Sequence, residues 1–177
     1  MKNILFALLL VFGEFVFISR YETRRDIMEN GTEILVPVYV RETLVGERAA
    51  KITFRYHSFI PASEILSGSG TAVVRRHSGG RASYVRIYDS QTPLRPGEHL
   101  LKFYVEHEAG LQRGTALSKV KFASDEYILR SKEKVSELMD RPKELRIKYA
   151  VLKTNGDGDS ALWGMADQNG VILSTRY

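Results

Sequence analysis

The stretch "KITFRYH", Lys51 to His57, decides how the chain is read. Ile52, Phe54 and Tyr56 alternate with Lys51, Thr53, Arg55 and His57, the period of a strand with one buried face. Upstream, "EILVPVYV" (Glu33 to Val40) puts Ile34, Val36, Val38 and Val40 on one face. Its Pro37 cannot donate to a ladder, which predicts an edge strand. Downstream, "TAVVRRH" and "ASYVRIYD" flank Ser78-Gly79-Gly80 as a hairpin, and "HLLKFYVEH" turns Leu101, Phe103 and Val105 inward. "SKVKFASDEYIL" reads as one strand with a kink, and "ELRIKYAVLKT" alternates Leu145, Ile147, Tyr149 and Val151. "SGSGT" at Ser67 to Thr71 reads as a loop. "TNGDGDS" and Gln168-Asn169-Gly170 read as the turns beside the closing strands "ALWGMAD" and "GVILSTR". One short helix is expected, with Ser131 as N-cap, Val135, Leu138 and Met139 on one side, and Arg141-Pro142 as its end.

The N-terminus has a different pattern. "NILFALLLVFGEFVFIS" (Asn3 to Ser19) is an apolar run interrupted by Glu14. Met1 to Tyr21 makes about 31 Å of helix at 1.5 Å per residue, close to the hydrocarbon thickness of a bilayer. No Ala-x-Ala pattern follows the run, so an uncleaved anchor is expected over a signal peptide. Asn30-Gly31 stops the helix. The expected fold class is therefore mainly β (α+β): an N-terminal transmembrane helix, then a β-sandwich or partly open barrel-like domain with one short helix. The expected division is 1–27 for the anchor and 28–177 for the β-rich domain. A carboxylate within a span costs a few kcal/mol, so Glu14 either lies near the outer interface or is protonated and tolerated, or it faces a partner helix that supplies a cation or hydroxyl, with Gly13 letting that partner's backbone approach.

Composition narrows the function classes. With no cysteine in 177 residues, thiol catalysis, zinc–thiolate sites and disulfides are excluded. The net charge of +5 favours anionic surfaces. Strand alternation turns Tyr84, Arg86 and Tyr88 outward if Val85 and Ile87 point in. Lys51, Arg55 and His57 point out on another strand, Arg146 and Lys148 on a late one, and Arg75, Arg76 and Arg81 surround the hairpin tip. Cations interleaved with aromatic rings suit anionic lipid or glycan, so Arg55, His57, Tyr84, Arg86 and Tyr88 form a candidate ligand or partner face. No nucleic-acid partner is expected.

Catalytic motifs are weak. Ser131 and Lys134 match S-x-x-K, but the chain is too short for the penicillin-recognising fold and lacks its middle element. "NGDGD" spaces acidic groups as calcium loops do, yet the twelfth position holds Ala166 where a bidentate Glu belongs. His57, His77, His99 and His107 lack metal spacing. No enzyme activity, metal or other cofactor is expected.

Taken together, these segments resemble the bacterial GDYXXLXY family. "GTEILVPVYVRE" is similar to the strand leading into its motif, and the motif position falls on "AAKITFRY", where Phe54 and Tyr56 match its Leu and final Tyr. Ala49, Ala50 and Lys51 replace Gly-Asp-Tyr, so no motif residue is carried over. "FASDEYILRSKEKVSELM" and "YAVLKTNGDGDSALWGMADQNG" resemble the family's later strand, helix and closing hairpin. The resemblance implies a single-pass protein of the bacterial cytoplasmic membrane, with its domain outside the cytoplasm and a multi-pass membrane protein as partner. Arg20, Arg24 and Arg25 would argue for the opposite orientation by the positive-inside rule, though Glu22 and Asp26 dilute them. The expected function is a non-enzymatic accessory or stabilising subunit of a membrane complex. The alternative is an envelope-facing module that binds anionic lipid or glycan.

Overall fold

A computed structural model describes residues 2–46, 49–106, 119–130, 134, 136–137, 140 and 146–175, with helix side chains given for Phe6 and from Leu10 onward. Helix α1 (Lys2–Asn30) leads into β1 (Thr32–Val45) and β2 (Ala50–Tyr56). A 3₁₀ turn (Ala62–Glu64) precedes β3 (Ser69–Arg76), β4 (Ala82–Ile87), β5 (Glu98–Glu106), β6 (Lys119–Lys121) and β7 (Glu126–Leu129). The chain closes with β8 (Tyr149–Thr154), β9 (Ser160–Ala166) and β10 (Ile172–Thr175). One sheet has the order β10-β9-β8-β1-β2-β7 and the other β4-β3-β5-β6. The mainly β architecture matches the expectation. The helix expected after Ser131 lies outside the described residues, apart from Lys134, Ser136, Glu137 and Asp140, which are helical. His107 also lies outside them.

The core is the meeting of the two inner faces. Ile34, Val36, Val38, Ile52, Phe54, Tyr56, Leu152 and Met165 of the larger sheet pack on Val74, Leu101, Phe103 and Val120 of the smaller. The rings of Phe54, Tyr56 and Phe122 meet edge to face at 5.4 and 5.5 Å, the geometry the ring quadrupole favours. The phenol of Tyr56 donates to the Ser124 carbonyl at 2.7 Å, so its buried oxygen is satisfied.

Pro37 is not on an edge. β1 pairs with β8 over Thr32 to Pro37 and with β2 over Val38 to Val45, so it lies mid-sheet and changes partner at the proline. Val38 donates towards β8, to the Lys148 carbonyl, whereas the Pro37 carbonyl accepts from His57 just past the end of β2. The missing N–H thus falls on the side where the β2 ladder has run out, and it leaves no orphan. Three further expectations are corrected. "SKVKFASDEYIL" is two strands, β6 and β7, one in each sheet, so the supposed kink is a crossing between sheets. On β8 the main core takes Ala150 and Leu152, while Tyr149 and Val151 face a second cluster with Leu35 and Ala166. Residues 69–71 of the supposed loop belong to β3, where the Phe103 ring lies over Gly70 and would stand 2.6 Å from any Cβ there.

Among the described residues, no helix is long and apolar enough to cross a membrane. α1 occupies the expected place, but the transmembrane character expected of it is unconfirmed.

Candidate functional site

The basic-aromatic face does not form. The β3–β4 register shifts so that Val73 opposes Arg86 and Val74 opposes Tyr84, which makes Val85 a bulge. The bulge reverses the alternation, so Tyr84 and Ile87 both pack against the core and Val85 is exposed. The Tyr84 hydroxyl donates to Glu64, and burial together with that carboxylate pushes its pKa up. Arg86 is half-buried and donates to Glu98 at 3.0 Å and to the Thr92 and Pro93 carbonyls at 3.3 and 3.2 Å. Of Tyr84, Arg86 and Tyr88, only Tyr88 is exposed as expected. Arg55 sits on β2 in the other sheet, and His57 just past the end of that strand, where its ring meets Tyr39 edge-on at 5.4 Å.

The hairpin-tip arginines are also taken up by the fold. Arg75 donates to Glu98 at 3.2 Å and Arg76 to the Glu33 carbonyl at 2.9 Å. Arg81 donates to the Gln168 carbonyl and lies over the Tyr149 ring. Glu98 is buried and accepts from the Arg95 N–H, Arg86 and Arg75. The Arg95 N–H foremost, then the two guanidiniums, hold its carboxyl below the usual range against the opposing effect of burial.

"NGDGD" forms the expected turn. Asn155 Oδ1 accepts from the Asp157 and Asp159 N–H groups, and the Asp159 carboxylate pairs with Lys102 at 2.9 Å. Among the described residues, no group of three or more His, Asp or Glu could hold a metal ion.

The feature that stands out is the mounting of α1. Among the described residues, the helix packs on the domain near its C-terminal end, where Ile27 and Met28 bury against Ala161 and Trp163. Lys153 donates to the Met28 carbonyl at 2.7 Å, which satisfies an orphan group at the helix C-terminus where a cation is favoured. The same ammonium lies 4.9 Å from the Trp163 ring centroid. Gly31 closes the junction, because a Cβ there would stand 2.3 Å from the Ile27 carbonyl oxygen and 3.2 Å from Thr154 N.

N-terminal to this mount, the described side chains of the helix are largely exposed. Phe6, Phe12, Phe15 and Phe17 are 64%, 66%, 70% and 72% exposed. Glu14 is exposed among them, and nothing lies within 4 Å of a Cβ built on Gly13. The structure therefore places Gly13 and Glu14 together on the free part of the helix, far from the β2 and β4 residues. Sequence reading missed Lys153, Trp163 and Ile27 as determinants of the mount. Asn30-Gly31 marked the junction, but nothing local ties it to residues more than a hundred positions later.

Where the helix leaves the domain, a groove of about 470 Å³ opens between α1 and the start of β9. Arg20 and Arg24 rim it from successive helical turns, and Ile27, Ala161 and Leu162 line its floor. A neighbouring cleft of about 330 Å³, beyond Asp159 and Ser160, contains the Lys102–Asp159 pair and Lys121 bonded to Glu106. Compared with protein-family models, curated proteins and solved structures, the chain matches none.

Proposed function

We propose that this chain is a non-enzymatic, membrane-anchored accessory protein, in which α1 enters an apolar environment and the β domain is held at its surface. The observation that carries this reading is the free, phenylalanine-rich stretch of α1 on a firmly mounted base. So much contiguous apolar surface marks a site of burial in lipid or against a partner. Lys2 to Ser19 makes about 27 Å of helix, a little under the thickness of a hydrocarbon core. Glu14 within that stretch supports a protein partner, since a lone carboxylate in lipid is costly and a facing hydroxyl or cation relieves the cost. Gly13 beside it gives a partner backbone room to approach. The resemblance to the GDYXXLXY family favours a multi-pass membrane protein as that partner, with the domain on the outer side of the bacterial cytoplasmic membrane.

The test is affinity purification of the full chain from its native membrane in mild detergent, comparing wild type with Glu14→Leu by mass spectrometry. A multi-pass protein retained by wild type and lost by the variant is the expected result. Equal retention by both, or no partner with either, overturns the intramembrane contact.

A further inference from the structure

We infer that the groove between α1 and β9 is a binding site for the phosphate headgroup of an anionic phospholipid. The inference rests on the membrane-anchoring reading. Arg20 and Arg24 lie four residues apart on the face of α1 that rims the groove. Like charges at that spacing oppose each other and weaken a helix, a cost that an anion between them removes. Among the described residues neither has an ion-pair partner, whereas Arg25 on the same turn is paired with Glu29. The one carboxylate lining the groove, Asp159, is already paired with Lys102 at 2.9 Å. The groove is therefore cationic, while the neighbouring cleft is balanced by its own ion pairs.

Three features select a lipid headgroup. Guanidinium groups offer paired N–H donors that match phosphate oxygens. Ile27, Ala161 and Leu162 give the groove a buried apolar lining, and a low local dielectric strengthens ion pairing beside it. The groove also begins at Ser19, directly after the exposed Phe17 and Ile18. If the free part of α1 is in the bilayer, the two arginines stand at headgroup level, and a lipid beside the helix reaches them without leaving its leaflet.

The test uses the full chain and its single tryptophan, Trp163, which packs against Ile27 and Ala161 of the groove floor. In one arm, wild type and Arg20→Gln/Arg24→Gln are floated on phosphatidylcholine vesicles, and both should float. In the other, Trp163 emission of the detergent-solubilised protein is titrated with dihexanoyl-phosphatidylglycerol, with dihexanoyl-phosphatidylcholine or with inorganic phosphate. Wild type should prefer phosphatidylglycerol to phosphatidylcholine by roughly 30-fold, the preference expected of two basic residues at a lipid surface. Arg20→Gln/Arg24→Gln should lose the preference, and Arg25→Gln should keep it. No headgroup preference, or one that survives the double variant, overturns the proposal. An equal loss in Arg25→Gln assigns the effect to diffuse charge and overturns it as well. Inorganic phosphate binding as tightly as the lipid transfers the site to free phosphate and overturns the lipid assignment. Failure to float with the preference intact sinks the anchoring reading and upholds the groove.

Discussion

Replacing Gly31 with Ala should loosen α1 from the domain without unfolding the β core. The added Cβ would lie 2.3 Å from the Ile27 oxygen, 3.1 Å from Lys153 Cβ and 3.2 Å from Thr154 N, where real Cβ contacts essentially never fall under 3.0 Å. Lys153 and Thr154 belong to β8, which is held on both sides by β1 and β9, so the helix end is what yields. Yielding releases Ile27 and Met28 from Ala161 and Trp163, a burial contribution of about 1.5–3 kcal/mol each. It also releases the bond from Lys153 to the Met28 carbonyl, about 1.5–3 kcal/mol for a charged donor. The helix can relax part of the way, so a net loss near half of that sum, about 3 kcal/mol, is expected for the mount. That corresponds to an opening constant raised roughly 100-fold. Hydrogen exchange of the peptide spanning Tyr21 to Gly31 should accelerate by that factor, Trp163 emission should shift to the red, and core strands β2 and β5 should exchange as before. Gly13→Ala is the control: nothing lies within 4 Å, and a mid-helix Gly→Ala change should stabilise α1 by about 1 kcal/mol. Unchanged protection in Gly31→Ala with an unshifted Trp163 would refute the close-approach reasoning.

Two other outcomes follow from particular residues. Glu98 has its pKa lowered in the fold, so its contribution to stability is complete above the ordinary value near 4.5 and is lost as pH falls through the lower folded value. Glu98→Gln should flatten the acid limb of a pH–Tm profile, and an unchanged limb would remove the Arg75–Glu98–Arg86 cluster as its source. Since the chain has no cysteine, Ser90→Cys on the exposed β4–β5 loop gives a single thiol to label. A membrane-impermeant maleimide should modify it in intact spheroplasts, whereas modification only after lysis would place the domain on the cytoplasmic side.

Much of the fold was legible because inward side chains recur at the strand period. Ile52, Phe54 and Tyr56 on β2, and Leu101 and Phe103 on β5, face the core as their alternation indicates. Pairing partners and bulges were not legible. The insertion of Val85 leaves no mark in "ASYVRIYD", yet it turns Tyr84 into the core and so dissolves the candidate face. Pro37 misled for a related reason: a proline is tolerated mid-sheet where a neighbouring strand ends, and strand ends are set by tertiary pairing. Gly13 and Glu14 were identified by residue type within an apolar run, and the structure keeps them together on the free helix. Lys153, which caps that helix, carries no sign in its own sequence neighbourhood of the carbonyl it reaches.

The arginines that looked like a ligand surface have a use that fits the chain's lack of cysteine. The β4–β5 loop crosses ten residues between Ile87 and Glu98 with no disulfide to fix it. Arg86 holds two of its carbonyls and Glu98 holds its Arg95 N–H, so charge-assisted bonds do the work of a crosslink. Arg76 and Arg81 tie the β3–β4 tip to Glu33 and to the turn at Gln168 in the same way. Those ties reach β1 and the turn after β9, and β8 and β9 carry Lys153, Ala161 and Trp163 under α1. A guanidinium spent on a carbonyl is not available to a ligand, and among the described residues Arg20 and Arg24 of α1 are held by no such bond. The domain's polar side chains thus brace the β4–β5 loop and the β3–β4 tip, and the proposed recognition rests on α1 and the groove at its foot.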